Sequence, residues 1–574
     1  MITGWQSVKI PESGHKKMKL IKVLFFLFFF CLIFATAQNS LLPDWTYPAD
    51  PDDQISKMQE FQSLPEDTVQ VIAAGTSHMQ YGFVPMQLYK EKRIRAYNLA
   101  VSALRLPATY YQLAEALAYQ HPKVIMLDAS ALFLEGYDGI QWRRVLDTGF
   151  RPGLNKLEAS VEYASEKNQD TSLIFGGLRD VADAFFPLLF YHERWKEGCS
   201  PAGFINASKP YYGKGYVLST LCQRSWTTVD DLNQMEEELS DTRQFSEIQV
   251  VNGSETVTEK GMEPYQVVPS EENRKWLGKI KELCDRSQVE LCLVKIPVLI
   301  APRYYASSWT RTKSRLTREI ADELGIKYLD VLYEMEDGID RLRDFRDGGM
   351  HMNYHGARKV TNFIGDFLEE NYDIIREENG YYDKTAGVHR KIDAAARLQN
   401  RDTFAGFCKS LGKQLKGRTL FIAVLGVKDG KLNEEETATL EGLGVRVPAE
   451  SGIGEDAYLG IVKDGQCIYE AFGKLPVSVD HYAVDQFTEV SAKSVGAANT
   501  SLLPPKVSIV VNGAELTQNG RGINIIVYDN ETQTVVDRVN FYKNSSDANV
   551  TFERNGTVTE KDIKKYEHRL YEGV

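Results

Sequence analysis

The stretch 69–78 reads VQVIAAGTSH and indicates the fold class of the first half of the chain. Its first six residues are apolar except Gln70, which is typical of a strand that is buried on both faces. The turn GTSH at 75–78 follows without a break. Ligands of parallel α/β sheets lie at the carboxyl ends of the strands, so Ser77 stands where a functional group is expected.

Short apolar strands and amphipathic helices alternate from residue 69 to about residue 372. This alternation implies a parallel sheet with helices on both faces. We therefore expect an α/β domain over residues 65–372. Its predicted strands are 69–74, 124–128, 290–296 and 327–331, and its predicted helices are 107–119, 271–284, 316–324 and 356–370.

Two polar segments interrupt or follow this pattern. Residues 227–269 are acidic and are expected to form a surface insertion with a small hairpin at 249–257. Residues 373–401 are charged and contain glycine, so they are expected to form either a linker or a linking helix.

The last part of the chain, residues 402–574, has a different character. A strand at 419–427 is followed by a helix at 433–443, whose start is marked by Asn433 and a run of glutamates. The sequence here predicts a β-rich α+β domain. Its further strands are 457–463, 466–472, 507–511, 523–528 and 535–541, with a hairpin turn at 530–533.

Composition limits the function classes. At 574 residues the chain is too long for one hydrophobic core, and its 43% hydrophobic and 25% charged residues are those of a globular protein. The net charge is -12 and no basic stripe occurs, which argues against nucleic acid as a partner.

The N-terminus carries a targeting segment over residues 1–38. Lysines precede an apolar run at 23–37, which is shorter than the ~20 residues of a typical membrane span. The sequence ATA at 35–37 also matches a small-x-small cleavage site. The segment is therefore either a cleaved signal peptide or an uncleaved signal anchor. Both readings place the rest of the chain outside the cytoplasm, as a membrane-anchored or a secreted protein.

Seven cysteines occur, and Cys31 lies in the apolar run. The other six permit disulfides in an exported protein, with Cys199–Cys222 and Cys284–Cys292 as local candidate pairs. Buried reduced thiols are the equal alternative. No pair has the CxxC spacing of a zinc site, and neither a metal nor another cofactor is expected.

A second motif lies near the end of the α/β domain, where 347–353 reads DGGMHMN. Serine becomes a nucleophile when a base takes its proton, and that base needs an orienting carboxylate. Ser77 with His351 and Asp347 would supply this set, with Asp344 as a rival acid. Taken alone, Ser77 fits an ordinary strand-end turn. The combination favours nucleophilic acyl transfer.

Short motifs spread over residues 67–372 carry a family resemblance. They are GTSH at 75–78, YNLA at 97–100, PKVIMLD at 122–128, YHERW at 191–195, KGY at 214–216, VKIP at 294–297 and the segment 347–356. Together they resemble SGNH (GDSL-like) hydrolases. More narrowly they are similar to membrane-anchored SGNH proteins of cell-envelope acylation, such as the D-alanyl transfer protein of teichoic acid synthesis and polysaccharide O-acetylation proteins. The resemblance implies a flavodoxin-like sheet, with Ser77 as nucleophile, His351 as general base and Asp347 as orienting acid.

Departures from the family pattern concern mainly the oxyanion hole. The family usually has Asp-x-x-His, whereas Asp347 and His351 are four positions apart. The block around Asn98 contains no glycine donor, and the block around Asp128 lacks the usual asparagine. Asn98 and Asp128 are therefore weak oxyanion or substrate candidates. A missing donor weakens the hole unless backbone amides replace it.

Five further residues are candidate substrate contacts. His78 is expected to be a structural or pocket residue rather than a second base. Lys295 ends a predicted strand at the ligand edge, or else is a surface lysine. His192, Arg194 and Trp195 bring imidazole, guanidinium and aromatic groups together, which suits sugar stacking and a packed helix end equally.

Residues 402–555 carry a second resemblance. The stretch NGRGINIIVYD at 519–529, with TVVD at 534–537, resembles the opening of an interleukin-like EMT inducer (PANDER-like) domain. The segments 419–444 and 456–461 resemble its later half, so the order is that of a circular permutation. A related domain in a Golgi glycosyltransferase stem binds carbohydrate. The resemblance implies either a glycan-binding module or a structural docking module.

Two functions follow from these observations. The first is an exported SGNH-type O-acyltransferase or esterase that acts on a cell-surface polysaccharide through a serine acyl-enzyme. A multispanning membrane O-acyltransferase is the partner that the family implies as the source of the acyl group. The second is a non-catalytic envelope protein that binds glycan and carries a degenerate site.

Overall fold

The computed structural model contains α-helices mainly between residues 12 and 441 and strands in several sheets. It describes residues 12–43, 45, 52–136, 139–167, 174–197, 211–218, 221, 249–251, 254–257, 265–266, 268–298, 308–335, 338–340, 343–346, 351–425, 432–446, 455–497, 503–518, 520–542 and 553–554. The α-helices are α1 (Glu12–Leu41), α2 (Gln54–Ser63), α3 (Ser77–Gly82), α4 (Pro85–Lys92), α5 (Leu106–Leu117), α6 (Gly139–Gly149), α7 (Leu154–Lys167), α8 (Ile174–Phe185), α9 (Pro187–Tyr191), α10 (Glu271–Arg286), α11 (Ser308–Leu324), α12 (Val331–Glu334), α13 (Tyr354–Asn371), α14 (Gly380–Ala396), α15 (Phe404–Leu411) and α16 (Glu434–Glu441). The strands are β1 (Val71–Ala74), β2 (Ala96–Asn98), β3 (Val124–Asp128), β4 (Gln249–Val251), β5 (Ser254–Val257), β6 (Tyr265–Gln266), β7 (Glu290–Lys295), β8 (Lys327–Asp330), β9 (Phe345–Arg346), β10 (His351–Met352), β11 (Arg418–Leu425), β12 (Ala457–Lys463), β13 (Gln466–Gly473), β14 (Val477–Ala483), β15 (Glu489–Val495), β16 (Lys506–Val511), β17 (Ala514–Glu515), β18 (Gly522–Asp529), β19 (Thr534–Tyr542) and β20 (Glu553–Arg554).

A five-stranded parallel sheet forms the centre of the first half, in the order β2-β1-β3-β7-β8. Apolar side chains of one face pack on α5 and α10, and those of the other face pack on α3, α4 and α13. The prediction of an α/β fold with helices on both faces of a parallel sheet is confirmed. The short strand β2 is absent from the predicted set, because three residues next to Arg95 form no apolar run.

A helical layer lies between β3 and β7 along the chain. Helices α6 and α7 share a separate apolar core with Ala184 of α8, built around the buried ring of Trp142. None of these helices is among the elements predicted from sequence. Helix α11 begins at Ser308, before its predicted start at 316, because charged residues at 311, 313 and 315 obscure the apolar period there.

The acidic insertion at 227–269 contains a small antiparallel sheet. Strands β4 and β5 pair as a hairpin, as predicted for 249–257, and β6 pairs with β5. Residues 227–248 of the insertion lie outside the described residues.

The segment 373–401 is a packed linking helix rather than a loose linker. Helix α14 occupies most of it, with Tyr382, Val388 and Ile392 buried. The Tyr382 hydroxyl donates a hydrogen bond of 2.8 Å to the carbonyl of Ala96 on β2. The apolar core on this side of the parallel sheet is continuous with that of the C-terminal part.

The C-terminal part is built from antiparallel sheets. A six-stranded sheet has the order β13-β12-β11-β18-β19-β20, and a four-stranded sheet has the order β14-β15-β16-β17. Apolar residues of β11, β15 and β16 form a core between the two sheets. The β-rich α+β prediction is confirmed, and Asn433 caps α16 in a capping box with Glu436.

Helix α1 contains a segment, Met18–Gln38, that is long and apolar enough to cross a membrane and is not buried in the protein. This is compatible with a signal anchor or a signal peptide. The helix continues to Leu41 and so runs through the candidate cleavage site at 35–37.

Of the two alternatives for Cys284 and Cys292, buried reduced thiols are confirmed and the candidate disulfide is not. Cys284 packs against one face of the parallel sheet, whereas the side chain of Cys292, in β7, lies on the other face. Burial raises the pKa of each thiol to about 12. Cys199 and Cys222 lie outside the described residues.

Candidate active site

Ser77 is held at the carboxyl edge of the parallel sheet. Strand β1 ends at Ala74, a two-residue turn follows, and Ser77 is the first residue of α3. The Thr76 hydroxyl caps the helix by accepting a hydrogen bond from the His78 N–H at 3.4 Å. Ser77 is half-buried, so the helix start fixes its backbone while its side chain keeps contact with solvent.

The turn before Ser77 depends on glycine and on the end of β3. Gly75 has φ +118°, and a Cβ atom there would lie 2.6 Å from the Cβ atom of Asp128. The Asp128 carboxylate accepts hydrogen bonds from the Thr76 hydroxyl and, at 2.9 Å, from the Ser130 N–H. Asp128 therefore fixes the serine turn against the neighbouring strand.

We expect Gly75→Ala to reduce both stability and ester hydrolysis. The backbone strain costs roughly 1–3 kcal/mol, and the contact with Asp128 adds an overpacking cost of about the same size. The displaced turn would move Ser77 away from His351, and a misplacement of about 1 Å costs on the order of a hundredfold in rate. Thermal unfolding and p-nitrophenyl acetate hydrolysis measure the two losses.

Gly136→Ala is the matched control for this substitution. Gly136 also has a positive φ of +81°, but a Cβ atom there would have no neighbour within 4 Å among the described residues. It therefore carries the backbone penalty without the clash. Equal effects of the two substitutions would contradict the role assigned to the contact between Gly75 and Asp128.

His351 faces the serine hydroxyl. Its Nε2 atom is 2.8 Å from Ser77 Oγ, within hydrogen-bonding distance. Strands β9 and β10 place Arg346 opposite His351, and the Arg346 guanidinium lies 4.1 Å from the centre of the Tyr81 ring. Tyr81 in turn meets the His351 ring edge-on, with ring centres 5.0 Å apart. Packing on Tyr81 thus helps to set the orientation of the imidazole.

Asn353 anchors the segment that carries His351. Its side-chain oxygen accepts hydrogen bonds from two backbone N–H groups of α13, both at 3.0 Å. Its amide donates to the carbonyls of Arg343 and Phe345. The sequence reasoning missed this positioning residue, although an asparagine directly before a helix is a capping signal.

Only one of the two candidate orienting acids, Asp344, is among the described residues. Asp347 lies outside the described residues, so its role stays a prediction. The rival acid, Asp344, is buried and accepts hydrogen bonds from Lys359 Nζ at 2.7 Å and from the Asp340 N–H at 2.6 Å. Burial raises the pKa of Asp344. Because these groups engage its carboxylate, Asp344 is a structural acid of this segment.

His78 lies beside the pair of Ser77 and His351. Its ring centre is 5.6 Å from that of His351, and its Nδ1 atom is 4.0 Å from Asp128 Oδ2. Among the described residues, this buried Nδ1 atom has no hydrogen-bond partner. Burial lowers the pKa of His78 and so favours the neutral ring. This geometry makes His78 a pocket neighbour of the histidine that contacts the serine.

Asn98 is a structural residue rather than an oxyanion donor. Its amide donates to the carbonyls of Met79 (2.9 Å) and Phe83 (3.0 Å), and its oxygen accepts a hydrogen bond from the Ala100 N–H. The side chain is fully buried and ties α3 to β2. Asp128, the other weak oxyanion candidate, is likewise occupied in holding the serine turn.

The turn 101–104 lies beside the serine turn. The Val101 N–H donates to the Gly75 carbonyl at 3.0 Å, which packs the turn 101–104 against the serine turn. Among the described residues, the backbone N–H groups of Ser77 and Ser102 have no hydrogen-bond partner. Ala103 adopts the left-handed conformation, at φ +54°. The turn 101–104 could not be recognised from the sequence, because the turn contains no glycine.

Lys295 ends β7 and is buried, so it is not a surface lysine. Its Nζ atom donates to the Ser314 hydroxyl at 2.7 Å, and burial lowers its pKa. Burial and the Lys295 charge lower the pKa of Lys313 to about 7, and Lys313 Nζ lies 4.8 Å from the centre of the Phe133 ring. Both lysines are near enough to lower the pKa of His78. The sequence reasoning missed Lys313.

The cluster at 191–195 belongs with the N-terminal helix. Arg194 Nη1 donates to the carbonyl of Leu41 at the end of α1, at 3.2 Å. His192 Nδ1 lies 2.7 Å from the Leu189 carbonyl, and Trp195 is largely exposed. Arg194 thus ties this cluster to the end of α1, and a role of His192, Arg194 and Trp195 in sugar stacking stays a prediction.

No metal site is evident in the part of the chain that the structure describes, where no three His, Cys, Asp or Glu side chains form a group able to hold an ion.

No family model and no curated protein matches the chain. Among solved structures it is similar to a candidate acylhydrolase from Bacteroides fragilis, at 9% identity over 57% of this chain and 99% of that one, with a TM-score of 0.25. It is also similar to TesA, at 8% identity over 52% of this chain and 99% of that one, with a TM-score of 0.23. Superpositions at this level establish no activity, so the fold follows from the strand order and the site from its own geometry.

Proposed function

We propose that the chain is an SGNH-type esterase or O-acyltransferase that forms an acyl-enzyme on Ser77. The observation that carries the proposal is the distance of 2.8 Å between Ser77 Oγ and His351 Nε2 at the carboxyl edge of a parallel sheet. A serine on a strand-to-helix turn with a histidine on its hydroxyl is the arrangement that nucleophilic catalysis requires.

The geometry supports a two-step reaction. Ser77 Oγ attacks the carbonyl carbon of an ester while His351 Nε2 accepts the hydroxyl proton. The tetrahedral intermediate then collapses, and His351 returns the proton to the leaving oxygen as the old acyl–oxygen bond breaks. A sugar hydroxyl or water repeats these steps in the second half and frees Ser77. Asp347 is proposed to orient His351 and to stabilise its charged form.

Backbone N–H groups are proposed to hold the oxyanion. Those of Ser77 and Ser102 are unpaired among the described residues and belong to two turns that are hydrogen-bonded to each other. Donors fixed in advance are effective because they need no reorganisation when charge develops. These backbone donors would replace the side-chain or glycine donors that the sequence lacks around Asn98 and Asp128.

An envelope setting fits the proposal. Helix α1 suits export or anchoring, and the resemblance points to a cell-surface polysaccharide as acceptor and to a multispanning membrane O-acyltransferase as acyl source. The permuted PANDER-like domain is proposed to hold the glycan near Ser77. These assignments rest on the resemblance to the two families.

Covalent labelling tests the serine directly. We expect a fluorophosphonate probe to label the full-length protein in detergent at one probe molecule per chain. The label should lie on the peptide that contains Ser77. Ser77→Ala should abolish labelling and His351→Gln should reduce it strongly. Ser130→Ala is the matched control, because this serine lies at the same sheet edge, directly after β3.

Labelling that persists in Ser77→Ala would refute the assigned nucleophile. Absence of labelling in the wild type, together with retention on a polysaccharide column, would favour the alternative of a glycan-binding protein with a degenerate site. The structural roles of Asn98 and Asp128 are the observation that keeps this second function in view.

A further inference from the structure

The end of α1 is packed against the first domain. Residues 18–33 of the helix are exposed, whereas most residues from 34 to 43 are partly buried. The Phe34 ring meets the Phe186 ring edge-on, with centres 5.8 Å apart. Arg194 hydrogen-bonds to the Leu41 carbonyl, and the Trp45 ring meets the Tyr191 ring at 6.2 Å. The segment 186–195 therefore packs against the C-terminal end of α1.

These contacts fix the position of the segment 186–195 along the normal of a membrane that α1 would span. Phe34 lies four residues before the end of the apolar span at Gln38, which is about 6 Å along a helix axis. A ring that touches Phe34 from the side, as Phe186 does, would then lie at the depth of the bilayer surface. Side chains around Phe186 that the protein leaves exposed would meet the lipid headgroups.

The exposed side chains at this place are apolar and aromatic. Leu189 is 43% exposed, Phe190 41% and Trp195 65%, and Leu178 on the preceding helix is 66% exposed. Arg179 on α8 and Lys196 in the turn 192–197 are exposed cations, paired with Asp183 at 3.7 Å and with Glu193 at 3.3 Å. Apolar groups with an indole and flanking cations are the composition of protein segments that lie in the interface of a bilayer.

We propose that helices α8 and α9 and the turn 192–197 form a second membrane contact of this protein. Their exposed face, made of Leu178, Phe186, Leu189, Phe190 and Trp195, lies in the headgroup region of the bilayer that α1 spans. A lipid surface is favoured over a protein partner because Phe186 of this face contacts Phe34 near the end of the apolar span. Exposed apolar patches on proteins mark sites of interaction with a membrane or a partner.

This inference requires that α1 is retained and does not depend on the esterase proposal. Two observations favour retention. The candidate cleavage site at 35–37 lies inside a continuous helix, where the Thr36 hydroxyl donates to the Leu32 carbonyl at 2.8 Å. Cleavage after Ala37 would also remove Phe34 and leave Phe186 without its partner ring.

Quenching of tryptophan fluorescence tests the contact. The full-length protein is placed in nanodiscs of phosphatidylcholine, with or without bromine near the glycerol end of the acyl chains. The Trp195 component is the difference in emission between the wild-type protein and the Trp195→Phe variant. We expect brominated lipid to reduce this component about twofold or more, since an interfacial side chain lies about 5–10 Å into the headgroup and acyl boundary.

Trp276→Phe is the matched control, because Trp276 is buried in the core next to the parallel sheet. Its component should not respond to bromine. A Trp195 component that brominated lipid leaves unchanged and aqueous acrylamide quenches would overturn the proposal. That result would mean that the face is free for a membrane protein partner. N-terminal sequencing of the nanodisc sample is a second test. A sequence that begins after residue 37 would also overturn the proposal.

Discussion

Ser77→Ala is expected to lower kcat/KM for p-nitrophenyl acetate by at least about a thousandfold, because without the hydroxyl no acyl-enzyme forms. His351→Gln should cost about as much, since Ser77 Oγ then loses the base that lies 2.8 Å away. The double variant should be no slower than either single variant, because the two side chains act as one unit. Initial rates with the purified full-length protein measure all three.

Ser130→Ala is again the control, and its rate should stay close to that of the wild type. Losses that multiply in the double variant would show that Ser77 and His351 act independently. A Ser77→Ala variant with wild-type activity would place the esterase elsewhere and contradict the assigned mechanism.

Asp537→Leu is expected to lower the free energy of unfolding of the C-terminal part by about 3–5 kcal/mol, because it leaves a buried charge without its partner. Asp537 and Arg554 form a two-point ion pair at 2.7 and 2.8 Å, and each side chain is only 2% exposed. Arg554 also donates to the Leu398 carbonyl, so the pair joins β20 to the end of the linking segment. Urea unfolding followed by circular dichroism gives the free energy.

Two further variants make this prediction specific. The double substitution Asp537→Leu with Arg554→Met should recover much of the stability, since no unpaired charge then remains. Asp285→Ala removes the partner of Lys281 in a surface pair and should cost no more than about 0.5 kcal/mol. A loss in Asp537→Leu as small as that in Asp285→Ala would contradict the assignment.

The sequence predicts the core of the parallel sheet well. β1, β3, β7 and β8 are short apolar runs, and burial on both faces produces such runs directly. The turn after β1 is also visible, because glycine marks a backbone that other residues adopt only with strain. Ser77 and His351 are too far apart along the chain for a local sequence pattern to predict their contact. Their pairing was accessible through the family resemblance and follows physically from packing between α3 and α13.

Other features depend on tertiary contacts and could not be predicted. Asn98 reads as a polar candidate in sequence, yet its amide is used by carbonyls of Met79 and Phe83. In the C-terminal part, β14 has an alternating pattern that a bulge interrupts, with His481 in the left-handed conformation. For 373–401 the sequence left a linker and a linking helix open, because the apolar positions of α14 are separated by charged residues and Gly387, and packing decides for the helix.

The docking of the first domain on α1 has a consequence for how such an enzyme would meet its acceptor. Phe34, Leu41 and Trp45 all contact the segment 186–195. With α1 retained in the membrane, as proposed, the domain would sit directly on this helix rather than on a flexible tether. Encounters would then take place by lateral diffusion within a thin layer above the lipid. Under the proposed function, a long polymer would therefore be acylated only where it passes through that layer.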